Sequence, residues 1–564
     1  MHSHLHPTPV TSCRVSLMTA LLSLISFLAV ALVHAQTTGL WTGTNDGNWN
    51  NAANWTGGGV PNATDAIAQF GSGSTTTNVN LDTAVSLTHL DFLSGAAAHA
   101  ISTSNASTLT ITRSDTNAYI SNAATGVTQT ISANIELTRS SGTTFYNSLV
   151  ANSALTLTGQ LRAATGNGNR DVVFQGDGIG GTVNINGTFS NLTSLRASNG
   201  ATVNYNPTSG TGLSNIWADA NGRINILANP LSARTFTLVN GGASIFIKRT
   251  GTTNIGDINM RGTGGGVKTF GADLENGQSA TLIVSADKKI NLNHTASATN
   301  TTYRFSSNAN TTFIIDGEIT EARASSTGTK IEIAGGGAVR FSGIASNTFS
   351  TTPVVVSAGR LELNKTDGAT AIASGSSLTV NQGAELRLLN SHQIADDVTL
   401  TLAGGEFNIA GNSDTLGALT IGASGGSLRF SGSGSVTFAS LAALDGTLTV
   451  YGWTPSASIV FTDTSDWNET TLAQVVFEGI GQGAMLDGGK LVSATVVPEP
   501  ATWVLLTGMI ILVPVLLSRR RSQDFAGASQ KLDRLRSGSG AGVSPASGSG
   551  TGILARERCL SAPT

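Results

Sequence analysis

The sequence has 564 residues and few charges: Asp, Glu, Lys and Arg make up 12 % of it, about half the share found in typical soluble domains. This low charge disfavours a cytosolic enzyme, while a hydrophobic share of 40 % and a net charge of −3 disfavour disorder of the whole chain. The 67 glycines, together with abundant Ser, Thr, Asn and Ala, are typical of short strands joined by tight turns.

The N-terminus has the pattern of a secretory signal peptide. Arg14 precedes 19 uncharged residues at 15–33, and small or apolar residues stand at Val33 and Ala35, the two positions that a signal peptidase reads. We predict a signal peptide over 1–35, cleaved before Gln36. The alternative is an uncleaved membrane anchor, since 19 residues are long enough to span.

Cysteine gives one further expectation for the exported part of the chain. Cys13 lies in the predicted signal and Cys559 near the C-terminus, so residues between them contain none. The exported part can therefore have no internal disulfide and no metal site built on thiolates.

Three tryptophans stand close together at the start of the predicted exported body: Trp41, Trp49 and Trp55. Aromatic rings with a polar edge suit a sugar-stacking platform. The alternative is a hydrophobic cap over the first coil, which an exposed solenoid end requires. We favour the cap.

Alternation of apolar and polar residues at period 2 recurs through the body, as at 108–112, 182–186 and 447–450. Such segments are half-buried strands with Thr or Asn on the outer face. No sustained helical periodicity accompanies them, which predicts an all-β fold.

Five of these segments start with glycine and recur at intervals of 24, 22, 21 and 20 residues: Gly359, Gly383, Gly405, Gly426 and Gly446. A period just above 20 residues predicts a β-solenoid with one unit per coil. The strands around Leu361, Leu386, Phe407, Leu428 and Leu448 should then stack in parallel register. The alternative is a series of antiparallel β-sandwiches, in which strands recur every 8 to 12 residues.

Residues 337–363, which include Phe341, Phe349 and the segment from Val356 to Leu363, resemble the autotransporter-associated β-strand repeat. The resemblance continues loosely to about Val450, and the tryptophan-rich segment from Trp41 to Phe70 resembles the opening of large exported proteins that carry this repeat. It implies a right-handed parallel β-helix. Since a single apolar segment and not a barrel follows the repeats, we do not expect an autotransporter in the full sense.

Among candidate chemical motifs, residues 176–181 satisfy the glycine pattern of a dinucleotide site. That site requires a helix next, whose N-terminus holds the pyrophosphate. Here the strand-like segment 182–187 follows, so we expect a glycine turn between coils. The expected cofactor set is accordingly empty.

The remaining ionisable residues are sparse. His89, His99, His294 and His392 form no metal-binding or nucleophilic motif, and each is expected to be an isolated surface residue. The densest acidic spots, Asp396-Asp397 and Asp463 with Asp466, fit turns, Asx caps or weak calcium sites. Carboxylates of adjacent coils can form the active site of a polysaccharide-cleaving β-helix, but we expect no enzyme here.

A second uncharged segment, residues 501–518, is about 27 Å long as a helix and can anchor the chain in a membrane. Pro498-Glu499-Pro500 precedes it and Arg519-Arg520-Arg521 follows it. This order resembles the PEP-CTERM sorting signal of bacteria that make exopolysaccharide. The resemblance implies recognition of Pro498, Glu499 and Pro500 by an exosortase, a membrane transpeptidase. The three arginines are expected to act as a membrane stop.

The family's signal usually ends the chain within a few residues of the arginines, whereas 43 residues follow Arg521 here. The tail, 522–564, is rich in Ser and Gly and is expected to be disordered. It is either a cytoplasmic extension or the result of a reading frame taken past its true stop. The predicted organisation is a signal peptide at 1–35, cap and coils at 36–335, the repeats at 336–450, a C-terminal β segment at 451–497, and the sorting signal, helix and arginines at 498–521.

The exported body, 36–497, has 22 basic and 30 acidic residues and hence a net charge of −8. A body with this net negative charge does not attract nucleic acid, which binds to basic surfaces. The sequence therefore predicts an exported structural or adhesion protein of the cell surface or exopolysaccharide matrix. Its expected partners are signal peptidase, the exosortase, the membrane and extracellular polysaccharide. The alternatives are a β-helix polysaccharide lyase or hydrolase, or a carbohydrate-binding surface protein.

Overall fold

The computed structural model describes residues 37–113, 119–139, 144–164, 170–209, 213–228, 234–261, 265–284, 288–293, 300–321 and 327–494. The predicted signal peptide, the sorting motif at 498–500, the arginines at 519–521 and the tail lie outside these residues.

The described chain winds as a parallel β-solenoid of about 16 turns. Each turn contributes strands to two or three of the three faces, and up to the C-terminal end each strand pairs in parallel with its counterpart one turn later. The antiparallel β-sandwich alternative is therefore wrong. Antiparallel strand pairs occur in the described residues only at the C-terminal end, where 475–477 pairs with 481–482, and where 490–493 pairs with 458–461 and 484–487.

The first face is a 12-stranded sheet. Its strands are Thr38–Trp41, Ile67–Phe70, His89–Phe92, Ile120–Asn122, Thr144–Leu149, Asp171–Gly176, Ser194–Ser198, Asn215–Ala218, Thr235–Leu238, Ile258–Arg261, Lys289–Asn293 and Glu318–Glu321. Backbone hydrogen bonds continue this face past Ile319 through Asn347, Thr348, Ile372 and Gln393. They lead to a five-stranded sheet made of Ser413–Leu416, Ser435–Phe438, Ser458–Phe461, Ala484–Asp487 and Lys490–Ser493.

The second face is a continuous sheet of 16 strands. They are Asn78–Asn80, Ala100–Ser102, Thr128–Ile131, Ala154–Leu157, Thr182–Ile185, Thr202–Tyr205, Arg223–Ile226, Ser244–Ile247, Gly266–Ala272, Thr301–Ser307, Lys330–Ala334, Val354–Val356, Ser377–Asn381, Thr399–Ala403, Leu419–Ile421 and Leu441–Leu444.

The third face is divided into two sheets. The N-terminal one has Val85–Leu87, Thr108–Arg113, Asn134–Arg139, Leu161–Ala163 and Phe189–Ser190. The C-terminal one has Gly251–Ile255, Ser279–Val284, Thr312–Asp316, Ala338–Gly343, Arg360–Lys365, Glu385–Leu388, Glu406–Asn408, Gly426–Arg429, Leu448–Tyr451, Val475–Phe477 and Gly481–Gln482. Between Ser190 and Gly251 the described part of this face has no strand.

Alternation of side chains explains the core. Along each strand the inward residues are mostly Leu, Ile, Val and Phe, and those of one coil lie over those of the next, so one buried cluster extends from Trp41 to Leu491. Burial therefore depends on neighbouring coils rather than on contacts within one coil.

The predicted parallel stacking of the strands around Leu361, Leu386, Phe407, Leu428 and Leu448 is confirmed, with a shift in the residue column at the last strand. Leu361 pairs with Leu386, Leu386 with Phe407 and Phe407 with Leu428. The partner of Leu428 is Val450, and Leu448 pairs with Gly426. The glycine-led repeats therefore slip by two residues here. A side chain at Gly446 would lie 2.6 Å from both the Gly422 oxygen and the Gly425 nitrogen, which explains the glycine in the turn.

Both ends of the coil stack are covered. At the C-terminal end a short helix, Glu469–Ala473, begins with a capping box formed by Asn468 and Thr471. At the N-terminal end two 3₁₀ turns, Ala52–Asn54 and Thr56–Gly58, cross the first coil.

Candidate functional site

The tryptophan trio forms the N-terminal cap. Trp41, Trp49 and Trp55 are at most 3 % exposed, and Trp55 lies edge-on to the other two at 4.8–5.0 Å between ring centres. All three rings pack on Phe70 of the next coil. Each indole N–H donates to a backbone carbonyl, those of Thr76, Pro61 and Trp49. The predicted cap is confirmed, and the sugar-stacking alternative is wrong because no ring face is open.

The glycine-rich segment 176–181 is a turn between coils, as predicted. It follows the strand Asp171–Gly176 and precedes the strand Thr182–Ile185. Asp177 accepts hydrogen bonds from the amides of Gly180 (2.9 Å) and of Ala151 in the preceding coil (3.1 Å). The amides that would hold a phosphate are thus bound to a carboxylate of the chain itself.

The prediction that each histidine is an isolated surface residue holds only in part. His392 is exposed, and His294 lies outside the described residues. His89 is paired with Asp91 at 3.1 Å. His99 contradicts the prediction: it is 1 % exposed, packs against Phe70 and Phe92, and has its Nε2 2.9 Å from Ser74 Oγ. Burial lowers the pKa of His99.

The acidic spots are turns. Asp397 accepts from Ser374 Oγ and the Gly375 amide, both at 2.8 Å, and so holds the turn of the preceding coil. Asp463 accepts from the Ser465 amide two residues on, which is an Asx turn. In the described ranges, no group of three or more His, Cys, Asp and Glu residues has metal-binding geometry.

Four buried polar residues at coil corners were not predicted from the sequence: Gln129, Lys365, Gln393 and Asp414. Gln393 accepts from the Lys365 amide (2.6 Å), and its own amide N–H donates to Asp414 (2.8 Å). Gln129 holds the backbone of His99 in the same way. Gln129, Lys365 and Asp414 each stand two positions from an inward Ile or Leu side chain on their strand, so the alternation pattern is a signal for those three. Gln393, with Ser391 and Ala395 at the corresponding positions, has no such signal.

Lysine is also found inside the solenoid. Lys268 is wholly buried on the inner side of the second face, where it pairs in register with the buried Tyr303, and its ammonium donates to the Gly265 carbonyl. Burial lowers the pKa of both Lys268 and Lys365 to about 8.

A cleft lies where the second face turns toward the C-terminal sheet of the third face. It has a volume of about 640 Å³ and is lined by Leu227, Lys248, Arg249, Thr250, Asp273, Leu274, Glu275 and Gln278. Asp273 lies between two cations, 3.1 Å from Lys248 Nζ and 3.0 Å from Arg223 Nη2. Glu275 accepts from Gln278 at 3.3 Å. The carboxylates thus already have partners within the chain.

Two rows of uncharged polar residues run along the outer side of the second face. On the second face Asn184, Asn204 and Asn225 lie one above the other, and each amide donates to the one before it at 2.7 Å. Further along the same face Thr379, Thr401 and Thr420 stand in register. Such rows stabilise adjacent coils and leave hydroxyl and amide groups at the surface.

A charged row runs along the outer side of the third face. Arg340, Glu362, Arg387, Asn408 and Arg429 occupy the same register position on five successive strands. Glu362 is 4 % exposed and lies between Arg340 (2.7 Å) and Arg360 (2.8 Å).

In the comparisons with known proteins, no family model, no curated protein and no solved structure matches the chain. Among the described residues, no helix has the length and apolar character needed to cross a membrane. The sorting-signal residues Pro498, Glu499 and Pro500 and the stop residues Arg519, Arg520 and Arg521 lie outside those residues.

Proposed function

We propose that the chain is an exported structural or adhesion protein of the cell surface or exopolysaccharide matrix, with its solenoid wound in the right-handed sense. The observation that carries the proposal is the unbroken stack of about 16 coils with a closed N-terminal cap. At about 4.8 Å per coil the stack extends over roughly 75 Å. A rod of this kind suits a spacer or scaffold outside the cell.

The outer surface supports the same function. Ladders of Asn and Thr give many weak hydrogen-bonding groups and little net charge. Hydrated neutral polymers are compatible with such a surface, whereas a catalytic site needs a localised group of reactive side chains.

Export and sorting are the second part of the proposal. The signal peptide, cleaved before Gln36, would direct the chain to the secretion machinery and signal peptidase. The motif Pro498-Glu499-Pro500 would hold an extended segment at the membrane surface for an exosortase, since neither proline fits a helix interior. Arg519, Arg520 and Arg521 would keep the helix from passing through.

Cell fractionation and mass analysis in the native host test this part. We expect the wild-type protein to be released to the surface with a C-terminus close to residues 498–500. Glu499→Ala should leave export intact and trap the full-length membrane-bound form. An intact C-terminus at Leu517 or beyond in the released wild-type protein would overturn sorting and leave a simple anchor.

Loss of the gene tests the structural role. We expect cells that lack the protein to retain less exopolysaccharide or to adhere less, and export of the wild-type chain to restore both. Unchanged retention and adhesion would count against the proposal.

If the chain were an enzyme, the cleft lined by Lys248, Asp273 and Glu275 would be the place for its active site. A glycoside hydrolase needs one carboxylic acid free to protonate and a second free as base or nucleophile. Asp273 is instead neutralised by Lys248 and Arg223. We therefore propose no catalytic role for this cleft.

A further inference from the structure

The charged row of the third face contains one cation without a partner. Three carboxylates of this surface, Glu362, Glu385 and Glu406, are each within 2.7–3.4 Å of an arginine. The Arg387 guanidinium forms no ion pair with a described carboxylate, and its Nε is buried without a hydrogen-bond acceptor, although the strands on both sides of it are described. In a solenoid with so few charges, an uncompensated arginine among paired ones marks a place for an external anion.

The arginines of this row are evenly spaced. Arg340, Arg387 and Arg429 occur on every second strand of the column, with Glu362 and Asn408 between them. Since adjacent strands are about 4.8 Å apart, these arginines recur about every 10 Å along the solenoid axis. This distance is comparable to the two-sugar repeat of an extended β-linked polysaccharide.

The neighbouring row suits the uncharged part of such a polymer. Ser342, Asn364 and Asn390 lie beside the arginine column and are joined by hydrogen bonds of 3.1–3.3 Å. Their amides and hydroxyl can exchange hydrogen bonds with sugar hydroxyls. At the end of the column the Arg429 guanidinium lies 4.5 Å from the centre of the Tyr451 ring, so an aromatic ring flanks the last cation.

We propose that this row binds a linear acidic polysaccharide with one carboxylate for every two sugars, laid along the solenoid axis, and that Arg387 is the principal anion contact. The carboxylate at the centre would bind the unpaired Arg387, and those one disaccharide away on either side would lie over Arg340 and Arg429, which already have Glu362 and Glu406 as partners. Duplex nucleic acid carries one charge per about 1.7 Å, a density that three arginines on a body of net charge −8 do not match. The proposal deepens the function proposed above and rests on it for its setting.

Affinity electrophoresis of the purified full chain tests the proposal. The probe is hyaluronate, a β-linked polymer with one carboxylate per disaccharide. Carboxyl-reduced hyaluronate is the uncharged control, and polyglutamate and single-stranded DNA are the denser polyanions. We expect binding to hyaluronate that weakens with salt, and weaker binding to the other three.

The deciding variant is Arg387→Gln, which should weaken hyaluronate binding about tenfold because a charge-assisted contact is lost. Lys330→Gln is the matched control, since it removes one charge from the second face and leaves Glu332 its other partner, Arg304. It should bind as the wild type does. Equal thermal midpoints of all three proteins verify that folding is unchanged.

Three results would overturn the proposal: equal hyaluronate binding by Arg387→Gln and wild type, equal binding of the carboxyl-reduced polymer, or stronger binding of polyglutamate or DNA. This test uses no cellular location. A failure of export or sorting in the host therefore leaves it standing, and a failure here leaves the cell-surface role standing.

Discussion

The ammonium group of Lys365 donates a hydrogen bond of 2.6 Å to the carbonyl oxygen of Gly317, which belongs to a coil two turns away. Gly343 is the register partner of Lys365 on the intervening strand. A side chain there would lie 2.5 Å from Asp316 Oδ1, so glycine keeps this corner open. A buried lysine thus connects three coils.

Replacing this lysine should change how stability depends on pH. Burial lowers the pKa of Lys365 to about 8, from 10.5 in the unfolded chain. Below pH 8 both states are protonated and the folded state bears the full burial penalty. As pH rises from 8 to 10.5 the folded state loses its proton first, so stability should increase, by about 2 kcal/mol for this residue.

Urea unfolding at pH 7 and pH 10 measures this increase. Lys365→Met should show a smaller increase than the wild type by about that amount. Lys330→Met, at a partly exposed lysine of the second face paired with Glu332, is the control and should keep the wild-type increase. An identical pH dependence in Lys365→Met and wild type would contradict the assignment.

Charge placed in the stacked column should unfold the coils. Leu386 is wholly buried between Leu361 and Phe407, so Leu386→Asp should destabilise by on the order of 4 kcal/mol. Thr401→Asp, on the outer side of the second face between Thr379 and Thr420, should change stability by less than about 1 kcal/mol. Equal losses of stability in the two variants would show that Leu386 is not in the core.

The stacking of coils was predictable from the sequence because glycine-led strands recur with one inward parity. The slip at Leu448 was not, since glycine marks a turn whose length can change by two residues while the parity of the strand is kept. The cap was also predictable, because three tryptophans close together at the end of a solenoid can cover its exposed apolar end.

The buried corner residues and the arginine row could be identified only from the structure. Lys365, Gln393 and Asp414 are typical surface residues by type, and only the coil register brings them together. Arg387 is one of many arginines in the sequence, and it lacks a partner because Glu362, Glu385 and Glu406 pair with arginines of other coils.

Loss of a cap tryptophan should destabilise the N-terminal coils first. Trp49 is wholly buried, contacts Trp55 and Phe70, and donates to the Pro61 carbonyl at 3.1 Å. Trp49→Ala should cost about 3–5 kcal/mol. Because each coil contacts only its neighbours, the loss of stability should be largest in the coils next to the cap. Amide exchange should therefore accelerate over residues 67–102 and stay unchanged beyond about residue 300. Uniform acceleration along the chain would contradict this.

The turn at Gly180 packs closely on the turn of the next coil at Gly200, and a glycine substitution tests this contact. Gly180 and Gly126 both have a φ of 73°. A side chain at Gly180 would lie 2.1 Å from the Gly200 oxygen, whereas one at Gly126 would meet nothing within 4 Å. Gly126→Ala should cost about 1 kcal/mol for the backbone conformation alone, and Gly180→Ala about 3 kcal/mol or more. Equal thermal midpoints for the two variants would show that the turn does not pack on the next coil.

Asp414 should give a pH dependence opposite to that of an ordinary surface carboxylate. Burial raises its pKa to about 7, against hydrogen bonds from the Gln393 and Thr415 amides that favour the charged form. Below pH 3.8 it is protonated in both states. As pH rises from 3.8 to about 7 the unfolded chain ionises first, so this residue should lower stability over that range.

The comparison of Asp414→Asn with Asp397→Asn measures this effect. Hydrogen bonds from Ser374 and Gly375 lower the pKa of the exposed Asp397, so its contribution is present at neutral pH and is lost as pH falls through its folded pKa. Relative to wild type, Asp414→Asn should therefore gain stability between pH 4 and pH 7, and Asp397→Asn should lose it as pH rises from acid. Urea midpoints at four pH values distinguish the two, and a parallel response would refute the burial of charge at Asp414.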